Sequence, residues 1–216
     1  NMSLIARTAL HCSFVDRVVL TNNNPDVDIE RWVKIRDPRF QLVTQKRKKG
    51  CGMRFEIAAA LPNHYFISID DDLFLKPEQI ASLYRSLLDE PGVPHGLVGQ
   101  HRRFETDDGD SGWELKGSPA GYTGPVDVIN CVMAFSREHV TKYHELLGLI
   151  GMGGVDDIGS ADDIVISASG SGSALCHHFG PTLSCPTTAD PDIAMFQQRG
   201  FRERRKRIYA QGHAAT

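Results

Sequence analysis

Residues 65–72 read Tyr65-Phe66-Ile67-Ser68-Ile69-Asp70-Asp71-Asp72, an apolar run followed by three consecutive aspartates. Aromatic and β-branched residues in such a run predict a buried strand, which places the aspartates at its carboxyl end. Three adjacent carboxylates repel one another. A bound Mg²⁺ or Mn²⁺ would offset that repulsion, because both ions prefer oxygen ligands. The alternative interpretation is a solvated acidic turn ahead of the next helix.

The first half of the chain alternates between predicted strands and helices. Strands are predicted at residues 14–20, 40–44 and 65–69, and helices at residues 4–11 (capped by Ser3), 29–33, 53–61 and 77–89. This alternation predicts an α/β fold with a Rossmann-like, mainly parallel, doubly wound sheet and helices on both faces. Ligands bind at the carboxyl ends of the strands in such sheets, which is where the aspartates are predicted to lie.

The second half has a different pattern. Strands are predicted at residues 97–99 and 126–135, a helix from a cap at Ser136 to residue 147, and another helix from near Ala161. Between the two strands, residues 100–125 form a polar loop that is too long for a simple connector and is therefore a candidate binding loop. Its notable side chains are Asp107, Asp108, Asp110 and Trp113.

Composition excludes several classes of protein. A chain of 216 residues with 41% hydrophobic residues can bury a core without help from disulfides or structural metal ions. Its formal net charge of −3 argues against a nucleic-acid partner. No run of about 20 apolar residues is present, so we expect no membrane span, and the amino terminus lacks the pattern of a signal peptide.

The cysteines do not form a recognisable framework. There are five, widely spaced and without a C-x-x-C pair, which disfavours zinc ribbons and dense disulfide scaffolds. Cys176 and Cys185 can pair across a loop, but buried free thiols are the favoured interpretation. The adjacent His177 and His178 lack further ligands at metal-binding spacing, so we expect them to be structural.

A second acidic pair, Asp162 and Asp163, opens the helix that follows the glycine-rich residues 148–159. These carboxylates can face the anomeric carbon of a sugar or accept a proton from an acceptor. The alternative is purely structural: Ser160 as N-cap with Asp163 three residues later resembles a capping box, and acids suit the first turn of a helix.

The carboxyl-terminal region is rich in arginine, with Arg199, Arg202, Arg204, Arg205 and Arg207. Arginine matches the geometry of a diphosphate through paired hydrogen bonds, so one of these residues is a candidate phosphate ligand. The others are expected on a solvated helix face, and the basic run at residues 46–49 is interpreted as a surface loop.

Taken in order, these segments resemble the exostosin-type GT-A glycosyltransferases, which transfer N-acetylhexosamines in heparan sulfate assembly. The resemblance covers roughly residues 17–209. It is carried by residues 18–23 with the asparagine pair, Arg54, the aspartate triplet, residues 96–99, Trp113, residues 126–135, residues 161–164, and residues 198–200 followed by Arg205.

The resemblance implies a GT-A fold and transfer of a sugar, an N-acetylhexosamine, from a UDP-sugar donor to a glycan or other hydroxyl acceptor, with retention of configuration. It also implies one domain spanning residues 1–216, with a nucleotide-binding half to about residue 95 and an acceptor-binding half from about residue 96. The implied location is the Golgi lumen, or the cytoplasm if the protein is bacterial.

The resemblance also implies roles for particular residues. Mn²⁺ (or Mg²⁺) is the implied cofactor and Asp72 its ligand, and Asp163, with Asp162 beside it, lies at the reaction centre. The implied nucleotide-sugar ligands are Asn22, Asn23, Arg54, Asp70, Asp71 and Arg199.

This sequence departs from the family in three places. The family's first strand with its nucleotide loop has no counterpart, Ala161 replaces a disulfide-forming cysteine, and Lys49 and Gly52 stand where the family has an asparagine and arginines. Two other functions therefore stay open: an inverting GT-A enzyme with Asp162 or Asp163 as general base, and a catalytically silent GT-A-like domain that binds a glycan or a partner chain.

Overall fold

The computed structural model describes residues 1–104, 113–190 and 194–215. The α-helices are Met2–His11 (α1), Met53–Ala60 (α2), Pro77–Asp89 (α3), Arg137–Leu149 (α4), Val155–Ile158 (α5), Asp162–Ser167 (α6) and Phe201–Ala215 (α7). The strands are Val18–Asn22 (β1), Phe40–Thr44 (β2), Tyr65–Ile69 (β3), Leu73–Phe74 (β4), His95–Arg103 (β5), Glu114–Gly117 (β6), Gly124–Val126 (β7), Val128–Ser136 (β8), Ala174–Cys176 (β9) and Leu183–Ser184 (β10). Short 3₁₀ helices lie at Ile29–Arg31, Pro186–Ala189 and Met195–Gln197.

The sheet is mixed. Its strands lie in the order β3-β8-β5-β9-β7, with β6 paired to β5, while β1 and β2 form a separate parallel pair. The α/β prediction is confirmed. The predicted parallel pairing of strands occurs between β1 and β2 and between β5 and β9. In contrast, β8 runs antiparallel to both β3 and β5. In the described chain, no helix connects β5 to β8. Two neighbouring strands that lack such a crossover helix run antiparallel to each other.

Helices cover both faces of the sheet because β8 alternates its side chains between them. Met133 and Phe135 point into one core layer, shared with α2, α4, α6 and α7. Val132 and Ala134 point into the other, shared with α1 and α3. The two halves predicted from the sequence meet in this sheet, since β3 of the first half pairs along its length with β8 of the second.

Local sequence signals determine several elements to the residue. The predicted strands at Phe40–Thr44 and Tyr65–Ile69 and the helix Pro77–Asp89 have those bounds in the structure. Ser136 caps α4 as predicted, and its hydroxyl accepts a hydrogen bond from His139 N–H at 3.3 Å. Proline at the first position of α3 lacks the N–H that a helix start leaves unused.

Other boundaries differ from the prediction. The strand predicted from residue 14 begins at Val18, because residues 12–14 form a turn after α1 and residues 15–17 have no regular structure. Ser3 does not cap α1, whose N-cap is Asn1. The long polar loop contains β6 and β7, and β5 extends into it as far as Arg103. The acidic residues predicted for acceptor binding, Asp107, Asp108 and Asp110, lie outside the described residues.

Two observations bear on the compartment and the membrane predictions. None of the five cysteines is in a disulfide, so the optional bond between Cys176 and Cys185 does not form. None of the described helices combines the length and the apolar composition that a bilayer-spanning segment requires.

We predict that Leu83→Ala lowers the free energy of unfolding by about 2–5 kcal/mol, because Leu83 is fully buried and truncation leaves a cavity. Leu88→Ala on the same helix is the matched control, since Leu88 is 42% exposed and its truncation costs little. Urea unfolding of both variants makes the comparison. Equal losses would contradict the placement of α3 against the core.

Candidate functional site

The aspartate triplet follows β3 at the edge of the sheet, and an irregularity in β8 fixes its first member. Asp70 N–H donates to Cys131 O at 2.8 Å, which extends the pairing of β3 with β8 by one residue. Cys131 has φ of +59°, a left-handed conformation that is uncommon for residues other than glycine. The pairing of β8 with β5 shifts register at the same place. Such bulges re-aim side chains and occur beside functional sites.

Arg54, on the first turn of α2, holds the first carboxylate of the triplet. Its Nη1 donates to Asp70 Oδ1 at 2.7 Å and to Ser68 Oγ at 2.8 Å. Its Nε donates to Cys51 O at 3.1 Å. Burial disfavours the charge of Arg54, but Asp162 and Asp70 outweigh that effect and raise the pKa of its guanidinium. Arg54 is therefore a fixed positive charge at the end of β3.

Asp163, on α6, is fixed by a second arginine. Its Oδ1 accepts hydrogen bonds from Ile164 N–H at 2.9 Å and from Arg205 Nη1 at 2.6 Å. The capping-box interpretation is wrong, because Ala161 rather than Ser160 is the N-cap of α6 and no side chain caps the helix. Asp163 is held by an ion pair between two distant parts of the chain.

Arg205 lies on α7 and is 5% exposed. Besides Asp163, it donates to Ser160 O at 2.9 Å and to Gln100 Oε1 at 2.8 Å. Burial opposes its charge, yet Asp163 raises the pKa of its guanidinium. The sequence placed Arg205 in the arginine-rich region and in the segment that carries the resemblance, but not among the implied nucleotide-sugar ligands. A signal that could have singled it out is its spacing from the apolar Ile208 and Tyr209, both 1% exposed.

Among the acids of the site, Asp162 has the pKa that is shifted most strongly. It is 4% exposed, and burial raises its pKa to about 6 despite the nearby guanidinium of Arg54. Arg54 Nε lies 3.3 Å from Asp162 Oδ2, but its single hydrogen is directed to Cys51 O. Asp162 Oδ2 consequently has no hydrogen-bond donor among the described residues. A buried oxygen without a donor is rare and marks a place where a ligand hydroxyl or a proton can bind.

The remaining two acids of the triplet are free of ion pairs in the described chain. Asp71 is exposed, and Asp72 is half-buried. Burial, together with the charges of Asp70 and Asp71, raises the pKa of Asp72. An excess of negative charge at Asp72 is what a bound cation would offset.

The site suits a cation that shares its ligands with a phosphate. In the ranges that the structure describes, no three His, Cys, Asp or Glu side chains converge into a metal cage. Mg²⁺ and Mn²⁺ do not require one, because they commonly bind one or two carboxylates together with substrate phosphates and water. Asp72, with Asp70 two residues away at the same strand end, supplies that kind of donor set.

Both acidic clusters open into one cavity of about 1610 Å³. The predicted site residues that line it are Asn22, Asn23, Arg54, Asp70, Asp71, Asp72, Asp162 and Asp163. Arg199 is exposed and is not among the lining residues. Three other cations of the same region line the cavity instead, namely Arg202, Arg205 and Lys206.

The asparagine pair at the end of β1 also lines this cavity. Asn22 is 6% exposed; its Nδ2 donates to Val27 O at 2.7 Å and its Oδ1 accepts from Asn24 N–H at 3.1 Å. Asn23 Nδ2 donates to Gly50 O at 3.3 Å. Both side-chain amides thus hold the loop after β1 in place.

Comparison with known proteins found structural similarity to solved structures and no match of the sequence. A crystal structure of GalNAc-T7 with UDP, GalNAc and Mn²⁺ is similar with a TM-score of 0.46 and 12% identity, over 76% of this chain and 36% of that one. A structure of CMP:2-keto-3-deoxy-manno-octonic acid synthetase complexed with CTP has a TM-score of 0.48 and 12% identity, over 88% and 85% of the two chains. This chain therefore spans about a third of the length of GalNAc-T7. No family model and no curated protein matches the sequence.

We predict that Asp162 makes the stability of the fold depend on pH. Its folded pKa of about 6 exceeds the ~3.9 of an unfolded aspartate, so the folded state binds the proton more tightly. The stabilisation by this proton is complete below pH ~4 and is lost as the pH rises through about 6. Each unit of difference between the folded and unfolded pKa contributes about 1.4 kcal/mol to the free energy of unfolding. Urea unfolding at pH 4.5 and 7.5 should show a smaller loss for Asp162→Asn than for the wild type.

The control for this prediction is Asp89→Asn, which changes an exposed aspartate at the end of α3. It should leave the pH dependence of the wild type intact. If Asp162→Asn and the wild type lose the same free energy of unfolding between the two pH values, Asp162 does not hold a proton in the folded state.

Proposed function

We propose that this protein is a metal-dependent glycosyltransferase that transfers a sugar, an N-acetylhexosamine, from a UDP-sugar to a hydroxyl acceptor. One observation carries the proposal: carboxylates from the end of β3 and the start of α6 line the same cavity, and Arg54 links them through Asp70 and Asp162. In this arrangement the carboxylates at the end of β3 could bind a cation. The acidic pair at the start of α6 lies beside them, where a sugar could react.

The nucleotide would lie along the carboxyl ends of β1 and β3. Asp70 and Asp71 are proposed to accept hydrogen bonds from the uridine and ribose, and Asn22 and Asn23 to form the wall opposite them. Arg54 would contribute positive charge on the diphosphate side. Arginine and lysine pair well with phosphate oxygens, so the cavity-lining Arg202 and Lys206 are candidates for the far side of the diphosphate. For Arg199, which lies outside the cavity wall, that role stays a prediction.

Asp72 is proposed as the protein ligand of Mn²⁺ or Mg²⁺. Such an ion supplies charge that stabilises a diphosphate as it leaves. The protein's own contribution is to hold the Asp72 carboxylate at the strand end, where Cys185 N–H donates to Asp72 O at 2.7 Å and fixes the backbone.

Asp163 is proposed to lie beside the anomeric carbon. Its orientation is set by Arg205 and by Ile164 N–H, so it is held in one rotamer before the substrate binds. A carboxylate fixed in this way can stabilise the positive charge that develops on the sugar in a retaining transfer. The acceptor would enter past β6, whose residues Glu114, Leu115, Lys116 and Gly117 line the cavity.

An inverting reaction is the second candidate, and the pKa of Asp162 favours it. A general base works best when its pKa lies near the operating pH, and burial raises the pKa of Asp162 to about 6. In this reaction Asp162 would accept the proton of the acceptor hydroxyl. NMR of the product decides between the two: the donor's anomeric configuration is kept in a retaining transfer and reversed in an inverting one.

A silent binding domain is the third possibility left by the sequence. It requires neither Asp72 nor Asp163. Turnover in a donor-hydrolysis assay that exceeds the turnover of Asp163→Asn would exclude it, whereas equal rates in the two proteins would favour it.

We predict that UDP binds this protein in the presence of Mn²⁺ and that Asp72→Ala weakens this binding by more than about tenfold, a loss of about 1.4 kcal/mol or more. The physical reason is that the metal ion would lose Asp72, its proposed protein ligand. Isothermal titration calorimetry with and without Mn²⁺ measures the effect.

The matched control is Asp89→Ala, an exposed aspartate remote in the sequence from the triplet. It should bind UDP with the affinity of the wild type. Manganese-dependent affinity that is unchanged in Asp72→Ala would remove Asp72 from the site and contradict the proposed metal position.

A further inference from the structure

A short segment connects the middle of the sheet with the aspartate triplet. We call residues 179–185, which follow β9 and contain β10, the strap. β10 pairs with β4 in the antiparallel direction. At the end of the strap, Cys185 N–H donates to Asp72 O at 2.7 Å. The strap therefore fixes the backbone of Asp72, the residue proposed to bind the metal ion.

Few contacts hold the strap in place. None of the residues 181–185 is buried, and Leu183 is 71% exposed. The first part of the strap is held by Gln79 of α3, whose Nε2 lies 3.2–3.3 Å from the carbonyl oxygens of residues 179–181. A segment with few buried apolar contacts opens at a low cost in free energy. Contacts at the start of the strap therefore contribute a large share of its stability.

Two histidines make such a contact. His95 begins β5, and His177 follows β9 and precedes the strap by two residues. His95 Nδ1 lies 2.8 Å from His177 Nε2, and His95 Nε2 lies 2.8 Å from Glu90 O. Because a carbonyl oxygen only accepts, His95 Nε2 carries the hydrogen, and the bare Nδ1 accepts from His177 Nε2–H. We call His95 and His177 the histidine latch.

The latch joins three parts of the fold to the strap. Glu90 is the C-cap of α3, and His177 N–H donates to Gly96 O of β5 at 2.8 Å. The ring of His177 also lies nearly parallel to that of Phe179, the first residue of the strap, with ring centroids 5.3 Å apart. The latch thus fixes the start of the strap against α3 and the sheet.

The latch is built from neutral imidazoles. His95 is 1% exposed, and burial lowers its pKa. Burial, and then the charge of His95, lower the pKa of His177 to about 4. Once both rings are protonated, each of the two facing nitrogens carries a hydrogen and both rings are positive, so the hydrogen bond between them is lost.

The groups that surround the latch do not cancel this effect. The carboxylate and backbone of Glu90 favour a charge on His95, but burial outweighs them. His139 of α4 is itself buried, which lowers its pKa, and its charge and that of His95 oppose each other, while Glu138 acts in the other direction. Burial raises the pKa of the Cys176 thiol to about 11, so this thiol stays uncharged.

We propose that the histidine latch is an acid-sensitive switch, which holds the strap against β4 in neutral solution and releases it when both rings are protonated. Release would also free the backbone of Asp72 from Cys185 N–H. An effect of acid on donor binding would therefore follow, and that consequence rests on the proposed function. The opening of the strap does not.

The direction of the effect follows from the two pKa values. A released imidazole has the ordinary pKa of ~6.5, whereas His177 in the latch has a pKa of about 4. The latch is therefore fully stabilising above pH ~6.5, weakens as the pH falls, and is weakest below about 4. At about pH 5 a released ring is almost fully protonated and a latched ring mostly neutral, which favours opening by roughly tenfold or more.

The test is hydrogen exchange followed by mass spectrometry at about pH 5 and about pH 7.5. In His177→Gln, the side-chain amide can still donate to His95 Nδ1 but takes up no proton. The matched control is His178→Gln, which changes the neighbouring, exposed histidine. Proteins are compared at the same pH, with β8 as the internal reference. Neither nucleotide nor metal is added, so the outcome is independent of whether the cavity binds UDP.

At about pH 5 we expect the amides of the strap and β4 to exchange roughly tenfold or more faster in the wild type and His178→Gln than in His177→Gln. At about pH 7.5 the three proteins should agree, and β8 should be equal throughout. Equal exchange in the wild type and His177→Gln at about pH 5 would overturn the proposal. Faster exchange in His177→Gln at both pH values would also overturn it, because the contact would then be purely structural.

A second measurement needs no variant. NMR of the wild type follows the imidazole Cε1–H signal of His177 and the backbone amide signals of the strap as the pH is lowered. The His177 signal should titrate well below the ~6.5 of a free histidine, and the strap signals should change with it. Titration of His177 at ~6.5, or strap signals that do not follow it, would contradict the proposed switch.

Discussion

The structure of the site depends on Arg54, which contacts two carboxylates from distant parts of the chain. Asp70 ends β3 and Asp162 opens α6, and both lie within 3.3 Å of its guanidinium. Removing two carboxylates and a guanidinium from water is costly, and the cost is offset only when opposite charges meet in good geometry. Because α2 is anchored by the fully buried Phe55, the position of Arg54 is determined by the core. The core thereby sets the distance between the two acidic clusters.

A second ion pair, between Arg205 and Asp163, closes the site from the carboxyl-terminal helix. It is almost fully buried, and losing one partner of such a pair is expected to cost about 3–5 kcal/mol. The two arginines therefore neutralise Asp70, Asp162 and Asp163 in part and leave Asp71 and Asp72 with no ion-pair partner in the described residues. The uncompensated charge is concentrated at the end of β3, which is why this position, rather than the start of α6, suits a metal ion.

The sequence revealed the parts of this structure that depend on local patterns. The bounds of β3, β2 and α3 agree with the prediction because apolar runs, helical periodicity and Pro77 act over short distances, and the same holds for the Ser136 cap of α4. The pairing of β8 with its neighbours in the antiparallel direction could not be predicted, since it depends on how a long polar loop returns. Likewise, the contact of Arg54 with Asp162 joins residues more than a hundred positions apart, and Cys131 carries no local signal for a left-handed backbone. Arg199, which precedes α7, was favoured over Arg205 because the sequence alone does not show that Arg205 lies on a buried face of that helix.

We have proposed that the end of β3 binds a metal ion together with a nucleotide diphosphate. A crystal of the protein with UDP and Mn²⁺, measured at the manganese absorption edge, tests it most directly. We expect one anomalous peak within coordination distance of an Asp72 carboxylate oxygen, beside the bound diphosphate. UDP bound in the cavity with no manganese at Asp72, or manganese bound only at other carboxylates, would contradict it.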